Sequence, residues 1–351
     1  MRLQSYFRFM REQGASDLYV TANARVKLRV NGRIHSVGQD LVSGDEIEIA
    51  TTSLMSEYQM VRFREEQQID FAIEDPDNGR FRFNVFRQRG LVAVAVRYIP
   101  SQIPPLAGLN LPSVLSDLAL SRRGLILVVG ATGAGKSTTL AAMIDYRNQS
   151  RSDHIIAIED PIEYTYTNRN SIINQRELIT DTPSYRLALR SALRAAPDVV
   201  LVGEIRDRET MEAALELANT GHLCLSTLHT TNAPQTMDRV VNLFPEIMRR
   251  QVLMDLSTNL RAIISQRLVR CKDESLRPAV ELMLNTPYLA DLIREGRINE
   301  VHEAMEDSRE QEMQTFDKAL AAMYRAGLIS LDEATANADS RANLEARINF
   351  G

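Results

Sequence analysis

Gly130-Ala131-Thr132-Gly133-Ala134-Gly135-Lys136-Ser137 is the stretch that decides the fold. The continuous apolar run Leu125–Val129 leads into it, and a helical segment from Lys136 to Tyr146 leads out. A strand, a glycine-rich turn ending in Lys-Ser and a helix make a phosphate-binding loop. Gly130, Gly133 and Gly135 let backbone N–H groups turn inward around phosphate oxygens, where side chains would collide. Gly130, Ala131, Thr132, Gly133, Ala134, Gly135, Lys136, Ser137 and Thr138 are therefore expected to hold ATP. Lys136 should reach the β- and γ-phosphates, and the Ser137 hydroxyl should ligate Mg²⁺. The N-terminus of the outgoing helix favours the same anion.

Downstream, apolar runs at Ile155–Ile158, Val199–Val202 and Leu223–Thr227 alternate with amphipathic stretches. Such runs predict a parallel sheet covered by helices on both faces, an α/β fold. Three of them carry polar groups at an end. Val199–Val202 runs through Gly203 to Glu204, and an acid after a buried strand behind a phosphate loop belongs beside the metal and its water. Ile155–Ile158 is followed by Glu159-Asp160-Pro161-Ile162-Glu163. One carboxylate there could orient or deprotonate the attacking water; on its own, a solvated polar loop explains the run equally well. His222 precedes Leu223–Thr227 and His229 follows it. His229, at the carboxyl end, could sense the γ-phosphate, although a lone histidine is more often structural.

Before the phosphate loop, residues 1–98 read as a smaller mixed domain. Val26–Val30 and Arg33–Val37 flank Asn31-Gly32, the signature of a type I′ hairpin turn. A helix is expected over 44–68. A second pair of strands, Arg80–Phe86 and Leu91–Ile99, is joined by the polar turn Arg87–Gly90. On the first of these, Phe81, Phe83 and Val85 share one face and Arg80, Arg82 and Asn84 the other. Arg97 lies near the end of the second. A solvated face accounts for such arginines, but an ATP-driven motor also needs a cation for the γ-phosphate charge, often from a neighbouring subunit. Arg186, Arg190 and Arg194 recur along one helical face and read as solvated surface. Pro100, Pro104 and Pro105 stiffen a linker over 99–111. The larger domain occupies 112–351, with a helical tail from about 287, where Gly327 closes one helix and the Ser330/Glu333 capping box opens the next.

The net charge of -5 argues against a dedicated nucleic-acid binder. Cys224 and Cys271 match no zinc spacing; Cys224 reads as a buried small hydrophobe and Cys271 as a free thiol. No apolar run approaches the roughly 20 residues needed to span a bilayer, and Met1–Met10 lacks the apolar core of a signal peptide. A cytoplasmic protein without membrane insertion is expected.

The boxes, in this order, resemble the secretion ATPase superfamily, which powers type II and type IV secretion and type IV pili. Gly79–Asn84, the phosphate loop, Glu159–Glu163, Glu204 and His222–His229 carry the likeness over nearly the whole chain. Leu189–Arg194 followed by Pro197-Asp198 is similar to the pilus retraction ATPases, the PilT/PilU family. The resemblance implies a RecA-like core with a PAS-like α+β N-terminal domain, assembled as a homo-hexamer that hydrolyses ATP. It implies Glu163 as catalytic carboxylate, Glu204 as the acid beside Mg²⁺, and His229 as γ-phosphate sensor. Arg82 and Arg97 would reach nucleotide across a subunit boundary. The tetracysteine zinc site of extension ATPases is missing. Principal retraction ATPases carry an Ala-Ile-Arg-Asn-Leu-Ile motif; the corresponding stretch here is Tyr288-Leu289-Ala290-Asp291-Leu292-Ile293-Arg294-Glu295. Together with Ala338–Leu344, this stretch resembles the accessory members. The resemblance therefore implies twitching motility, with the principal retraction ATPase and an inner-membrane pilus platform protein as partners, at the base of the pilus. The competing readings are the principal motor itself, a nucleic-acid translocase with a similar core, and a regulatory ATP-binding module.

Overall fold

The computed structural model describes residues 3–30, 33–99, 102–308 and 312–350. They form two compact units, Met1–Gln102 with Glu163–Thr165, and Ile103–Ile162 with Tyr166–Gly351.

The first unit is a mixed α+β domain on an antiparallel sheet of order β3-β2-β1-β6-β5-β4. Its strands are β1 Ala15–Thr21, β2 Ala24–Val30, β3 Arg33–Val42, β4 Gln68–Asp75, β5 Gly79–Gln88 and β6 Leu91–Ile99. Alternation along β5 puts Phe81, Phe83 and Val85 in the core, where Phe7 stacks on Phe81 at 4.1 Å and Phe71 on Phe83 at 5.0 Å. Each such ring contributes about 1.5–3 kcal/mol by leaving water. The β5–β6 turn is only two residues long: Arg89 (φ 50°) and Gly90 (φ 79°) both adopt left-handed conformations, the type I′ geometry that matches strand twist. The Asn31-Gly32 turn lies outside the described residues. The helix expected over 44–68 is two helices, Gly44–Thr52 and Glu57–Glu66. Ser43 with Glu46 and Ser56 with Gln59 each form a reciprocal capping box, so the second serine restarts the helix.

The second unit has a seven-stranded sheet of order β13-β12-β7-β11-β10-β8-β9. The strands are β7 Gly124–Val129, β8 His154–Glu159, β9 Ile172–Glu177, β10 Val199–Val202, β11 Leu223–Leu228, β12 Leu260–Arg270 and β13 Leu276–Leu284. All neighbours are parallel except β12 and β13. Helices cover both faces, one core gathering Leu125, Leu127 and Val129, the other Ile126 and Val128. One strand, β11, stands between β7, which feeds the phosphate loop, and β10, which ends at Gly203-Glu204; this is the RecA-like order. Registry aligns the carboxyl ends. Leu228 pairs with Val129, and Val202 pairs with both Ser226 and Ile158. Ligands of open parallel sheets bind at that edge.

In the helical tail, Gly327 (φ 72°) ends the helix Phe316–Arg325, and the Leu328 N–H donates to the Met323 carbonyl at 3.0 Å. The Ser330 hydroxyl accepts from the Glu333 N–H. The Glu333 carboxylate does not complete the box; it accepts from the Arg270 N–H at 2.9 Å, joining this helix to β12. Cys224 and Cys271 are both buried and unpaired.

Candidate nucleotide-binding site

The phosphate loop spans the gap between β7 and the helix Lys136–Ser150. Gly130, Gly133 and Gly135 adopt φ of 151°, 82° and 88°, values that side chains resist. Their reasons differ. A Cβ on Gly130 would lie 2.5 Å from the Gln266 carbonyl oxygen and 2.9 Å from the Ala134 Cβ. Gly130 is thus required by its close approach to β12, in addition to any phosphate. A Cβ on Gly133 would meet nothing within 4 Å and would stand in open space.

The helix Lys136–Ser150 has no side-chain cap and no acid in its first turn. The positive end of its dipole therefore favours an anion there. The Lys136 ammonium is buried and donates to the carbonyls of Gly130 at 2.9 Å and Ala131 at 3.0 Å. Ser137 and Thr138 are half-buried on the first turn. The loop therefore fits a polyphosphate. A magnesium ion accompanying it takes oxygen ligands and keeps several waters, a donor set that the Ser137 hydroxyl and the Glu204 carboxylate match in kind.

At the next strand ends, Glu204 and His229 come together. Glu204 Oε1 lies 3.2 Å from His229 Nε2, and Glu204 Oε2 accepts from the Arg206 guanidinium at 2.9 Å. Arg206 reaches on to Asp160 at 3.9 Å. These bonds to Glu204 raise the Arg206 pKa above its ordinary value. The end of β10 is pinned on both sides: the Gly203 N–H donates to the Ile158 carbonyl, and the Thr227 hydroxyl donates to the Gly203 carbonyl at 2.7 Å. Tyr185 packs over Gly203, where a Cβ would lie 3.1 Å from its hydroxyl. Burial, then the negative charge of Asp160, pushes the Tyr185 phenol up, so it stays a neutral donor.

Sequence reasoning left Arg206 without a role and did not single out Tyr185. Arg206 lies inside the Glu204 box, two residues on, where its function was legible. Tyr185 reaches the site from the helix Tyr185–Ala192, and no spacing announces that.

Other expected residues fall elsewhere. His222 serves the helix end: its Nδ1 lies 3.0 Å from the Thr220 hydroxyl and 3.1 Å from the Leu217 carbonyl. Arg82, Arg97 and Glu163 belong to the first unit. Arg82 and Arg97 are direct cross-strand neighbours on β5 and β6. Like charges so placed repel; Asp17 offsets Arg97 at 3.0 Å, and Asp70 offsets Arg82 at 3.8 Å. Arg97 is 68% exposed, which leaves much of its guanidinium for another anion. Glu163 is exposed, with no hydrogen-bond or ion-pair partner among the described residues. Arg186 pairs with Glu209 at 3.1 Å on the surface.

Residues 3–338 match the family model described as "Type II/IV secretion system protein". The chain is 46% identical to the type IV pilus ATPase PilU of Pseudomonas aeruginosa, over 100% of this chain and 92% of that one. It is 39% identical to the type IV pilus retraction ATPase PilT of the same organism, over 95% of this chain and 97% of that one. A crystal structure of the pilus retraction motor PilT with bound ADP superposes with a TM-score of 0.93 at 43% identity, covering 98% of this chain and 99% of that one. With that identity and coverage, the chain belongs to the type II/IV secretion system protein family.

Proposed function

We propose that the chain is an ATP-hydrolysing motor of type IV pilus retraction, working as an accessory to a principal retraction ATPase. The observation that carries the enzymatic part is the alignment of the phosphate loop, Glu204 and His229 at one sheet edge within a single unit. ATP enters with its phosphates on the loop N–H groups and the helix N-terminus. Lys136 exchanges its two carbonyl acceptors for β- and γ-phosphate oxygens. The Ser137 hydroxyl and the Glu204 carboxylate would hold a magnesium ion, which would supply charge neutralisation at the transferring phosphoryl group. Glu163 orients and deprotonates the attacking water. His229, 3.2 Å from the Glu204 carboxylate, reports on the γ-phosphate. Arg82 and Arg97 serve a nucleotide bound by the neighbouring subunit of a homo-hexamer.

The accessory assignment rests on the helix Pro287–Glu295. Thr286 caps it and Gly296 (φ 74°) ends it. Leu289, Leu292 and Ile293 are buried, while Tyr288 is 59% exposed and Asp291 is exposed. Of the departures from the principal-motor motif, Tyr288 and Asp291 lie on the solvent side, Ala290 is half-buried and Leu289 packs inward. Tyr288 also lines an open cleft of about 580 Å³ with Glu300, Glu303 and Asp307. A surface changed from Ala-x-Arg-Asn to Tyr-x-Ala-Asp meets a pilus-base partner with one cation fewer and one anion more.

The direct test is steady-state ATP turnover by the purified protein, with and without DNA. Turnover that needs Mg²⁺, is lost in Lys136→Ala and is indifferent to DNA is expected. Strong stimulation by DNA would favour a translocase, and nucleotide binding without turnover would favour a regulatory module.

A further inference from the structure

Glu281, on β13, is completely buried. Its Oε1 accepts from the Ala233 N–H at 2.7 Å and from the Ser265 hydroxyl at 3.0 Å. Oε2 has no hydrogen-bond partner among the described residues. Burial pushes this carboxyl up to about 7, against the pull of the Ala233 N–H. A carboxylate in that setting is a poor way to stabilise a core: an apolar side chain of similar volume serves better, and half of the group's hydrogen-bonding capacity goes unused. Its position relative to the two halves of the nucleotide site supplies another reason.

Ala233 opens the helix Ala233–Asn242, four residues after His229. The intervening loop is tied to that helix. Asn232 caps it by accepting from the Gln235 N–H, the Thr236 hydroxyl donates to the Asn232 carbonyl at 2.7 Å, and the Thr230 and Thr236 hydroxyls lie 2.7 Å apart. Holding the Ala233 N–H therefore holds the His229 loop. Ser265, the other partner, pairs with Val129, the residue just before the phosphate loop. The next residue, Gln266, presents the carbonyl against which Gly130 is packed. One carboxylate thus joins the loop bearing His229 to the strand on which the phosphate loop rests.

We propose that Glu281 is a positioning residue for hydrolysis, fixing His229 relative to the phosphate loop through Ala233 and Ser265. This rests on the reading of His229 as the γ-phosphate sensor. Glu281 touches no reacting atom; it sets where the sensor stands when the γ-phosphate arrives.

The experiment uses the full chain and compares Glu281→Ala, Glu281→Gln and Ser265→Ala. ATP turnover and the separate affinities for fluorescent ATP and ADP analogues are measured. Misplacing a catalytic group by about 1 Å costs on the order of 100-fold. Glu281→Ala should lower kcat about 10- to 100-fold while KM changes less than about threefold, and the preference for ATP over ADP should shrink. Glu281→Gln retains an acceptor for both partners and should recover most of the lost kcat. Should Glu281→Ala fail to fold, Ser265→Ala decides, with a smaller fall in kcat and the same loss of ATP-over-ADP preference. Wild-type kcat in the folded alanine variants overturns the proposal, as does an equal loss of affinity for both nucleotides. A wild-type protein that binds ATP without hydrolysing it refutes the ATPase reading alone, because the ATP-over-ADP preference still reads the position of His229. A wild-type protein without that preference overturns the positioning role.

Discussion

Replacing Gly130 or Gly133 by alanine separates what the phosphate loop does for the fold from what it does for a nucleotide. At Gly130 the new methyl would lie 2.5 Å from the Gln266 carbonyl oxygen, a backbone atom of a central strand that cannot rotate away, at φ 151°. Overpacking of this kind costs about 1–3 kcal/mol, and the strained backbone adds about 1–3 kcal/mol. Gly130→Ala should therefore lose roughly 2–6 kcal/mol, a large part of a stability of about 5–15 kcal/mol. At Gly133 the methyl would meet nothing, and only φ 82° opposes it, at about 1–2 kcal/mol. On the phosphate-loop reading, bound phosphate fills the open space in which that methyl would stand. Displacing a phosphate from one charge-assisted N–H bond costs about 1.5–3 kcal/mol, which is roughly 10- to 100-fold in Kd. Thermal melting and titration with a fluorescent ATP analogue read the two effects. Gly130→Ala should melt well below wild type; Gly133→Ala should melt close to it yet bind ATP at least about tenfold more weakly. A Gly133→Ala protein with wild-type affinity would refute the idea that phosphate fills that space.

Lys136→Ala should keep the fold and lose about 10²- to 10³-fold in turnover, because the loop aims no other cation at the phosphates; near-wild-type rates would remove the loop from the mechanism. Arg82→Ala and Lys136→Ala subunits, each inactive alone, should regain activity when mixed into shared rings, since some interfaces are then intact; activity tracking wild-type subunits alone would place the arginines within one chain. The Glu281 carboxyl, at about 7 when folded against 4.5 as its ordinary value, binds its proton more tightly in the folded state. Its contribution to stability is therefore full below about pH 4.5 and is lost as pH rises through 7. Arg267 and Asp339 are the charged groups that act on it, in opposite senses. The melting temperature should fall more steeply between pH 5 and 8 in wild type than in Glu281→Gln; parallel pH curves would contradict the assignment.

Residues that sit in local patterns were legible in the sequence. β7, β8, β10 and β11 are central strands, buried on both faces, so β7, β8 and β10 read as unbroken apolar runs and β11 begins with one, Leu223-Cys224-Leu225; glycines, an acid or a histidine at their ends mark the ligand edge. β12 escaped notice because Ser265 and Gln266 interrupt it and are nonetheless buried. β9, an edge strand with Asn174, Gln175 and Arg176 in its middle, has no apolar run to find. The helix expected over 44–68 divided because Ser53–Ser56 holds a cap that periodicity overlooks. Met254 is 43% exposed, whereas Met283 is fully buried; methionine alone does not announce which side of an element it lies on. Long-range partners were the hardest to read. Tyr185 over Gly203, Glu333 on the Arg270 N–H and Glu281 between Ala233 and Ser265 join residues many positions apart. Only the folded sheet shows that Arg82 and Arg97 stand opposite one another.

The central claim is that this chain drives pilus retraction as an accessory to a principal ATPase. The most direct measurement is to image fluorescently labelled pili in cells that retain this protein but lack the principal motor, and again with both present. The account predicts little forceful retraction from this protein alone. With both present, retraction should be stronger than with the principal motor alone, and this gain should be lost in Lys136→Ala. Vigorous, forceful retraction without the principal motor would contradict the accessory role and make this chain the principal motor itself.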